Sequence, residues 1–273
     1  MSNQDQIDYW SGPTGNVWAS TQDRIDAMMA PITAALLERC ATAAGRRVLD
    51  IGCGCGTTTL ALADRAREIC GVDVSAPMLA EARRRTAGRD NVHWQEADAS
   101  SATFAEPFEF AVSRFGVMFF DDPGAAFAHL RTQLVPNAPL VFVCWAAPAD
   151  NAWFSLAARA LREYLPPPES PPDPKAPGPF AFANPDDVQT YLDAGGFHEL
   201  SIEPFSCALP LGGSLDQAVE FQSRIGPLSR ALKELEEGPR EAALAAVRKT
   251  LEPWVSDAGV SAPGKVWFVS ARA

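Results

Sequence analysis

The sequence is poor in metal-binding and acid-base side chains. It has 3 histidines in 273 residues, and its 6 cysteines show neither a Cys-x-x-Cys motif nor the paired spacing of a zinc site. We therefore expect no metal site and interpret the cysteines as free thiols used as small apolar side chains in a reducing compartment. They are Cys40, Cys53, Cys55, Cys70, Cys144 and Cys207.

Long apolar runs are also missing. No stretch reaches the length needed to span a bilayer. The first residues, MSNQDQIDYW, show neither the basic nor the apolar part of a signal peptide. Because 47% of the residues are hydrophobic, the chain can still bury a sizeable core. We expect a globular cytoplasmic enzyme.

Positive charge is scarce. The chain has 23 basic and 34 acidic residues, which give a net charge of −11. Such a field repels nucleic acid. The densest basic run, ARRRTAGR at 82–89, is typical of the solvated end of a helix. We therefore expect a small-molecule partner and no nucleic acid; the oligomeric state stays open.

Strand-like and helix-like segments alternate along the first half of the chain. Continuous apolar strands alternating with helices indicate an α/β fold with a parallel sheet covered on both faces. Predicted helices include 21–44, with a kink at Pro31, and a helix from Thr57 to about Arg67. Predicted strands lie at 47–51, 68–74, 91–98, 108–115, 139–145, 198–207 and 265–272.

We divide the chain into four parts. Residues 1–44 are expected to form a helical lid, and residues 45–147 the ligand-binding core. Residues 148–182 would contain a helix and a proline-rich loop that crosses the surface. Residues 183–273 would complete the sheet, with a helical insert at about 214–257.

The stretch VLDIGCGCGTTTLALA at 48–63 holds the main motif. Three glycines follow the first strand and let the backbone turn sharply and approach a ligand. Thr57 stands where a dinucleotide fingerprint needs its last glycine. Asp50, two residues before the first glycine, is a poor neighbour for a pyrophosphate but suits a positively charged ligand. Asp73 ends the second strand, where an acid that binds ribose hydroxyls belongs.

S-adenosylmethionine has the required positive charge and a ribose. VLDIGCGCGTTTLALA, GVDVSAPMLAEARRR, EADA and FEFAVSRFGVMFFDDP resemble the successive motifs of class I S-adenosylmethionine-dependent methyltransferases. The likeness is greatest to the small-molecule enzymes of ubiquinone and menaquinone biosynthesis. The resemblance implies a Rossmann-like sheet of seven strands with helices on both faces and a helical cap. Its last strand, KVWFVSAR, would be antiparallel and form the edge beside the fifth.

The same resemblance implies the cofactor contacts. The glycine loop would hold the methionyl part, the second strand the ribose and adenine, the third strand the adenine amine, and the fourth strand the sulfonium. The positions are Asp50, Gly52, Cys53, Gly54, Gly56, Thr57, Asp73, Val74, Met78, Asp98, Ala99, Ser113 and Phe115. Asp98 could instead cap the short helix that follows it.

An acceptor pocket is expected from segments outside these motifs. Arg114 could anchor an acceptor's anionic group or serve a structural ion pair. The other candidates lie in the N-terminal segment, after the fifth strand and in the insert, and could equally pack the cap on the core. They are Tyr9, Trp10, Trp18, Trp153, Phe154, Phe221 and Arg224.

The implied activity is in-line transfer of a methyl group to an O, N, S or C nucleophile of a small molecule. The cofactor carries the activated group, so no catalytic residue is obligatory and none is assigned. Each histidine is better explained by a structural role. A nicotinamide-dependent oxidoreductase is disfavoured by Asp50 and Thr57. A non-catalytic S-adenosylmethionine-binding protein stays open.

Overall fold

The computed structural model describes residues 3–164 and 173–273. Its N-terminal part consists of three helices, α1 (Asn3–Ser11), α2 (Pro13–Ser20) and α3 (Gln22–Arg39). Helix α3 continues through Pro31 and ends five residues earlier than predicted. Its apolar face, which includes Ile25 and Leu36, is buried in the core, so α3 is part of the folded core.

The next part alternates strands and helices as predicted. Ser75 and Asp122 accept hydrogen bonds from backbone N–H groups of the first turns that follow them and so cap the starts of two helices. The elements are β1 (Arg47–Ile51), α4 (Thr57–Ala63), β2 (Glu68–Asp73), α5 (Ala76–Arg85), β3 (Val92–Glu96), β4 (Phe110–Arg114), α6 (Pro123–Thr132) and β5 (Pro139–Trp145).

The remaining elements complete the sheet and carry the insert. They are α7 (Ala152–Ala160), α8 (Pro185–Ala194), β6 (His198–Gly212), α9 (Leu215–Arg224), α10 (Gly226–Glu234), α11 (Glu237–Leu251), β7 (Val255–Ser256) and β8 (Gly259–Arg272). Part of the predicted proline-rich crossing loop, residues 165–172, lies outside the described residues.

The sheet has the order β3-β2-β1-β4-β5-β8-β6, with the short β7 paired to β8. Strands β1 to β5 run parallel, and β8 runs antiparallel to β5, which confirms the predicted Rossmann-like arrangement. The prediction that the last strand forms the edge is wrong. Strand β6 pairs with β8 along most of its length and forms the edge instead.

The strand order reverses between β1 and β4, whose neighbours extend to opposite sides. In open α/β sheets, ligands bind beyond the carboxyl ends of the strands at this position. The strands β1, β4 and β5 are almost wholly buried because helices cover both faces. No helix in the described part of the chain is both long and apolar enough to cross a membrane.

Candidate active site

A large cavity lies beyond the carboxyl ends of β1, β2 and β4, where the strand order reverses. Helices α1, α2 and α3 form one side of its wall, and the starts of α7 and α10 form another. Most of the predicted cofactor positions line it: Asp50, Gly52, Cys53, Gly54, Asp73, Val74, Met78, Asp98, Ala99 and Phe115.

The glycine loop takes the left-handed backbone conformation that glycine favours. Gly52, Gly54 and Gly56 have φ angles of 65°, 55° and 79°. A Cβ on Gly52 would lie 2.6 Å from the Cα of Gly116, so β1 and the end of β4 approach too closely for a side chain there. Gly56 does not line the cavity, and a Cβ on it would meet the ring of Trp94 at 2.5 Å. Gly56 is therefore explained by packing.

Asp50 is a buried carboxylate at the base of this loop. Its Oδ2 accepts a hydrogen bond from the Thr59 hydroxyl at 2.6 Å, and within residues 3–164 and 173–273 its Oδ1 has no hydrogen-bond partner. Burial raises the pKa of Asp50 to about 7, although the Thr59 hydrogen bond and the charge of Arg114 act against this. Such a group is stabilised by a cationic ligand that satisfies its free oxygen.

Asp73 is held in one orientation by the backbone. Its Oδ2 accepts from the N–H of Gly54 at 2.7 Å and its Oδ1 from the N–H of Ser75 at 2.8 Å. Burial raises the pKa of Asp73, and these hydrogen bonds oppose the rise. Each oxygen keeps a lone pair, so the carboxylate can accept from two hydroxyl groups of a ligand.

No helix follows Asp98 in the described stretch between β3 and β4, so the capping alternative is wrong, and the contact with the adenine amine stays a prediction. Asp98 lines the cavity, and its carboxylate also accepts hydrogen bonds from the backbone N–H of Ser100 at 2.9 Å and from the Ser100 hydroxyl at 2.6 Å. The neighbouring Ala99 lines the cavity as well. The turn after β3 therefore holds Asp98 against the ligand space.

Besides Gly56, two further predicted cofactor residues, Thr57 and Ser113, do not line the cavity. The Thr57 hydroxyl donates to Asp26 of α3, at 2.7 and 2.8 Å from the two carboxylate oxygens. The Ser113 hydroxyl donates to the carbonyl of Ile51 at 2.7 Å and accepts from the N–H of Gly116 at 3.1 Å. Thr57 and Ser113 thus fix the loops around the cavity.

Arg114 lines the cavity but its guanidinium is engaged within the protein. It donates to the Thr33 hydroxyl at 3.0 Å and to Asp26 at 3.3 Å, and its side chain is largely buried. Asp26 also pairs with Arg85 at 3.0 Å. These contacts favour the structural interpretation of Arg114 over the anchor for an acceptor anion.

The predicted acceptor residues divide into two groups. Those that line the cavity are Tyr9, Trp10, Trp18, Trp153 and Phe154. Phe221 and Arg224 do not line it. Phe221 is buried under the guanidinium of Arg24, 4.7 Å from its ring centre, and Arg224 pairs with Glu220 on the exposed side of α9. The face of α9 that the sequence suggested for the pocket instead joins the insert to α3.

Phe115 has a φ angle of 65°, which is rare for a bulky side chain. Its ring stacks on Trp145, with ring centres 4.5 Å apart, and both residues line the cavity. Strained backbone of this kind concentrates at functional sites. The strain therefore supports a role for the end of β4 in the site.

Sequence reasoning missed several wall residues. The apolar face of α3 reads as ordinary core. The resemblance assigned cofactor contacts to only some positions of the motifs, so their other residues were not predicted to meet a ligand. The missed residues are Gln6, Ile7, Gln22, Ile25, Met28, Met29, Ile51, Cys55, Thr58, Val72, Ala97, Gly116, Met118, Phe119, Phe120, Trp145, Pro179, Gly226 and Arg230.

Acid-base and metal chemistry find little support here. No histidine is among the described residues of the cavity wall, and the described part of the chain holds no group of three His, Cys, Asp or Glu placed to bind a metal ion. Burial raises the pKa of the Cys55 thiol to about 12 and that of the Cys53 thiol well above its usual value, so neither is a thiolate at neutral pH. All six cysteines are free.

Known proteins resemble the chain in sequence. The family described as "Methyltransferase domain" matches residues 48–137. A demethylmenaquinone methyltransferase from Clavibacter sepedonicus is 33% identical over 109 residues, which cover 40% of this chain and 44% of that protein. A trans-aconitate 2-methyltransferase from Methylobacterium nodulans is 36% identical over 107 residues, or 38% and 40% of the two chains. The chain thus spans about half or less of these relatives.

Solved structures share the fold over more of the chain. The YcgJ protein from Bacillus subtilis has a TM-score of 0.57 at 19% identity, covering 88% of this chain and 97% of its own. A phosphoethanolamine N-methyltransferase from Haemonchus contortus has a TM-score of 0.58 at 16% identity, covering 100% and 60%. Residues 48–137, which contain the glycine loop, Asp50 and Asp73, thus match the methyltransferase-domain family, and the chain has the fold of the class I S-adenosylmethionine-dependent methyltransferases.

Proposed function

We propose that this protein is an S-adenosylmethionine-dependent methyltransferase that acts on a small molecule with an apolar body. The observation that carries the proposal is the buried Asp50 carboxylate, which has one oxygen without a partner in the described chain and lies at the base of the glycine loop. A buried charge of this kind needs a cation, and the methionyl ammonium of the cofactor would supply one.

We extend the proposal to the other cofactor contacts that the family resemblance implies. Asp73 would accept from the ribose hydroxyls, because its two oxygens are already oriented by backbone N–H groups. Val74 and Met78 would lie against the adenine, and Asp98 would face its amine. Gly52 and Gly54 leave the loop without side chains on the ligand side. When bound, the cofactor supplies a methyl group already activated by the sulfonium.

The chain's own contribution is orientation and exclusion of water. Aromatic side chains from three separate segments, including Trp10, Phe115 and Trp153, form much of the remaining wall. They would hold a flat or apolar acceptor and keep it dry, which favours displacement at a charged centre. No histidine is among the described wall residues, and the wall carboxylates Asp50, Asp73 and Asp98 are assigned to the cofactor. We therefore expect an acceptor that is already nucleophilic, such as an amine, a thiolate or an acidic carbon.

Two of the relatives support a small acceptor. They are named for demethylmenaquinone and trans-aconitate, which are both small molecules. The excess of acidic residues opposes a nucleic-acid substrate. We propose that the protein works in the cytoplasm, as its composition suggested.

Thermal unfolding in the presence of ligands tests this proposal. S-adenosylmethionine and S-adenosylhomocysteine should each raise Tm, whereas NAD should not. In the Asp50→Asn variant, these ligands should raise Tm much less than in wild type. Stabilisation by NAD alone would establish the oxidoreductase alternative. Formation of S-adenosylhomocysteine in the presence of a panel of small acceptors would then separate an enzyme from a protein that only binds the cofactor.

A further inference from the structure

Only two cationic side chains, Arg114 and Arg230, are among the described residues of the cavity wall. Arg114 is already paired with Asp26 and hydrogen-bonded to Thr33. Its charge is therefore balanced within the protein. Arg230 is different in both position and partners.

Arg230 lies on α10 and is exposed, so it stands where the cavity meets solvent. Its guanidinium carbon lies 5.8 Å from the centre of the Tyr9 ring, and Nη2 donates to the Tyr9 hydroxyl at 3.4 Å. Within the described chain it forms no ion pair. The net charge of the protein is −11, yet this arginine has no acidic partner among the described residues and lies at the edge of a cavity. Its positive charge is therefore available to an anionic ligand.

We propose that Arg230 binds a carboxylate on the methyl acceptor, with the Tyr9 hydroxyl as a second donor. The proposal rests on the proposed function, since it concerns the acceptor of that reaction. A guanidinium presents two parallel N–H groups that match a carboxylate. One arginine balances one negative charge, and the acidic residues elsewhere on the wall disfavour a doubly charged group such as phosphate.

The surrounding wall suits the rest of such a molecule. Ile225 and Gly226, at the start of the same helix, line the cavity together with Trp153 and Phe154 of α7. An acceptor held by its acid group at Arg230 would lay its apolar body against these side chains. The acceptor class is thus an apolar, preferably aromatic, carboxylic acid.

The test compares acids with their neutral amides. Binding of 2-naphthoate and 2-naphthamide, and of octanoate and octanamide, is measured by calorimetry on the full chain saturated with S-adenosylhomocysteine. Wild type should bind at least one acid about tenfold more tightly than its amide. Arg230→Gln should abolish that preference without weakening the amide, and Arg230→Lys should keep part of it. Arg224→Gln, on the neighbouring helix and outside the cavity, should behave as wild type.

Two results would overturn the proposal. One is the absence of an acid preference in every pair, and the other is an acid preference that Arg230→Gln leaves unchanged. The affinity for S-adenosylhomocysteine is measured separately on each variant and should not move with Arg230. If wild type fails to bind S-adenosylhomocysteine, the proposed function fails, while the acid preference is still measured on the protein alone.

Discussion

The carboxylate of Asp26 accepts a hydrogen bond from the hydroxyl of Thr57, at 2.7 and 2.8 Å from its two oxygens. This contact joins α3 to the first residue of α4, directly after the glycine loop. The same carboxylate pairs with Arg85 at the end of α5 and with Arg114 at the end of β4. One side chain of the N-terminal segment therefore ties together three elements that surround the cavity.

Removal of this carboxylate should destabilise the fold. Asp26→Ala would leave Arg85 and Arg114 partly buried without a counter-charge, and we expect it to lower the free energy of unfolding by about 2–4 kcal/mol. Urea unfolding measures the change. Asp23→Ala, an exposed acid on the same helix, is the matched control and should cost less than about 0.5 kcal/mol. Equal effects of the two substitutions would show that the Asp26 network contributes nothing.

The glycine loop and its acids could be predicted from sequence because their spacing is local. Asp50 lies near the end of one strand, Gly52 follows that strand, and Asp73 ends the next, so parallel pairing alone brings them to one edge of the sheet. Thr57 shows the limit of this reasoning. Its place in the motif suggested a ligand contact, but its side chain points to Asp26, 31 residues away in sequence.

The parts that could not be predicted depend on contacts between distant segments. Arg230 has no motif, and it meets Tyr9 across 221 residues. Phe221 lies under Arg24 because the insert packs on α3, which no local pattern indicates. The edge position of β6 likewise results from a long pairing with β8 that exceeds both predicted strands.

The approach of β1 to β4 makes Gly52 intolerant of a side chain. Gly52→Ala would place its Cβ 2.6 Å from the Cα of Gly116, and backbone atoms cannot yield cheaply. Gly88→Ala is the matched control, since Gly88 also has a positive φ, of 86°, but open space around its Cβ position. In both variants, an alanine with a positive φ lowers the free energy of unfolding by about 1–2 kcal/mol. We expect only Gly52→Ala to lose S-adenosylhomocysteine affinity, by at least tenfold in calorimetry. Similar affinities for the two variants would contradict the packing argument.

The first two helices should act as a lid, whereas α3 belongs to the core. Helix α1 is fastened above Asp73 by two hydrogen bonds, from the Ser75 hydroxyl to the Trp10 carbonyl at 2.7 Å and from the Ser11 hydroxyl to the Val74 carbonyl at 2.8 Å. Deletion of residues 1–20 removes α1 and α2, and with them the Trp10 and Trp18 side chains that line the cavity. It should weaken S-adenosylhomocysteine binding at least tenfold and leave a cooperatively folded protein by circular dichroism.

A smaller change separates the lid from its side chains. Trp10→Ala removes the ring but keeps the backbone carbonyl that accepts from Ser75, so it should weaken binding less than the deletion does. If the affinity for S-adenosylhomocysteine is unchanged after the deletion, α1 and α2 do not act as a lid. Loss of the cooperative transition would show instead that α1 and α2 belong to the core.

Asp50 should give the stability a distinctive dependence on pH. Its carboxyl has a pKa of about 7 in the folded protein against 3.8 as its ordinary value, so the folded state holds the proton more tightly. Its contribution to the free energy of unfolding is therefore largest below pH 4, and it falls by about 1.4 kcal/mol per pH unit up to pH 7 and then levels off. Asp50→Asn has no carboxyl group to titrate at this position, so its free energy of unfolding lacks this contribution. The difference between wild type and this variant, measured by urea unfolding from pH 4.5 to 8, isolates Asp50 from the other carboxyl groups.

Ligand binding should depend on pH in the opposite direction. A cation beside Asp50 favours the ionised carboxylate, so the affinity for S-adenosylhomocysteine should rise as pH increases from 5.5 to 8. Asp50→Asn should bind weakly at every pH and lose this slope. Asp64→Asn, an exposed acid at the end of α4, should keep both the affinity and the slope of wild type. If the wild-type affinity is flat over this range, Asp50 does not face the ligand's positive charge, because a carboxyl that titrates near pH 7 cannot hold a cation without a change in its proton affinity.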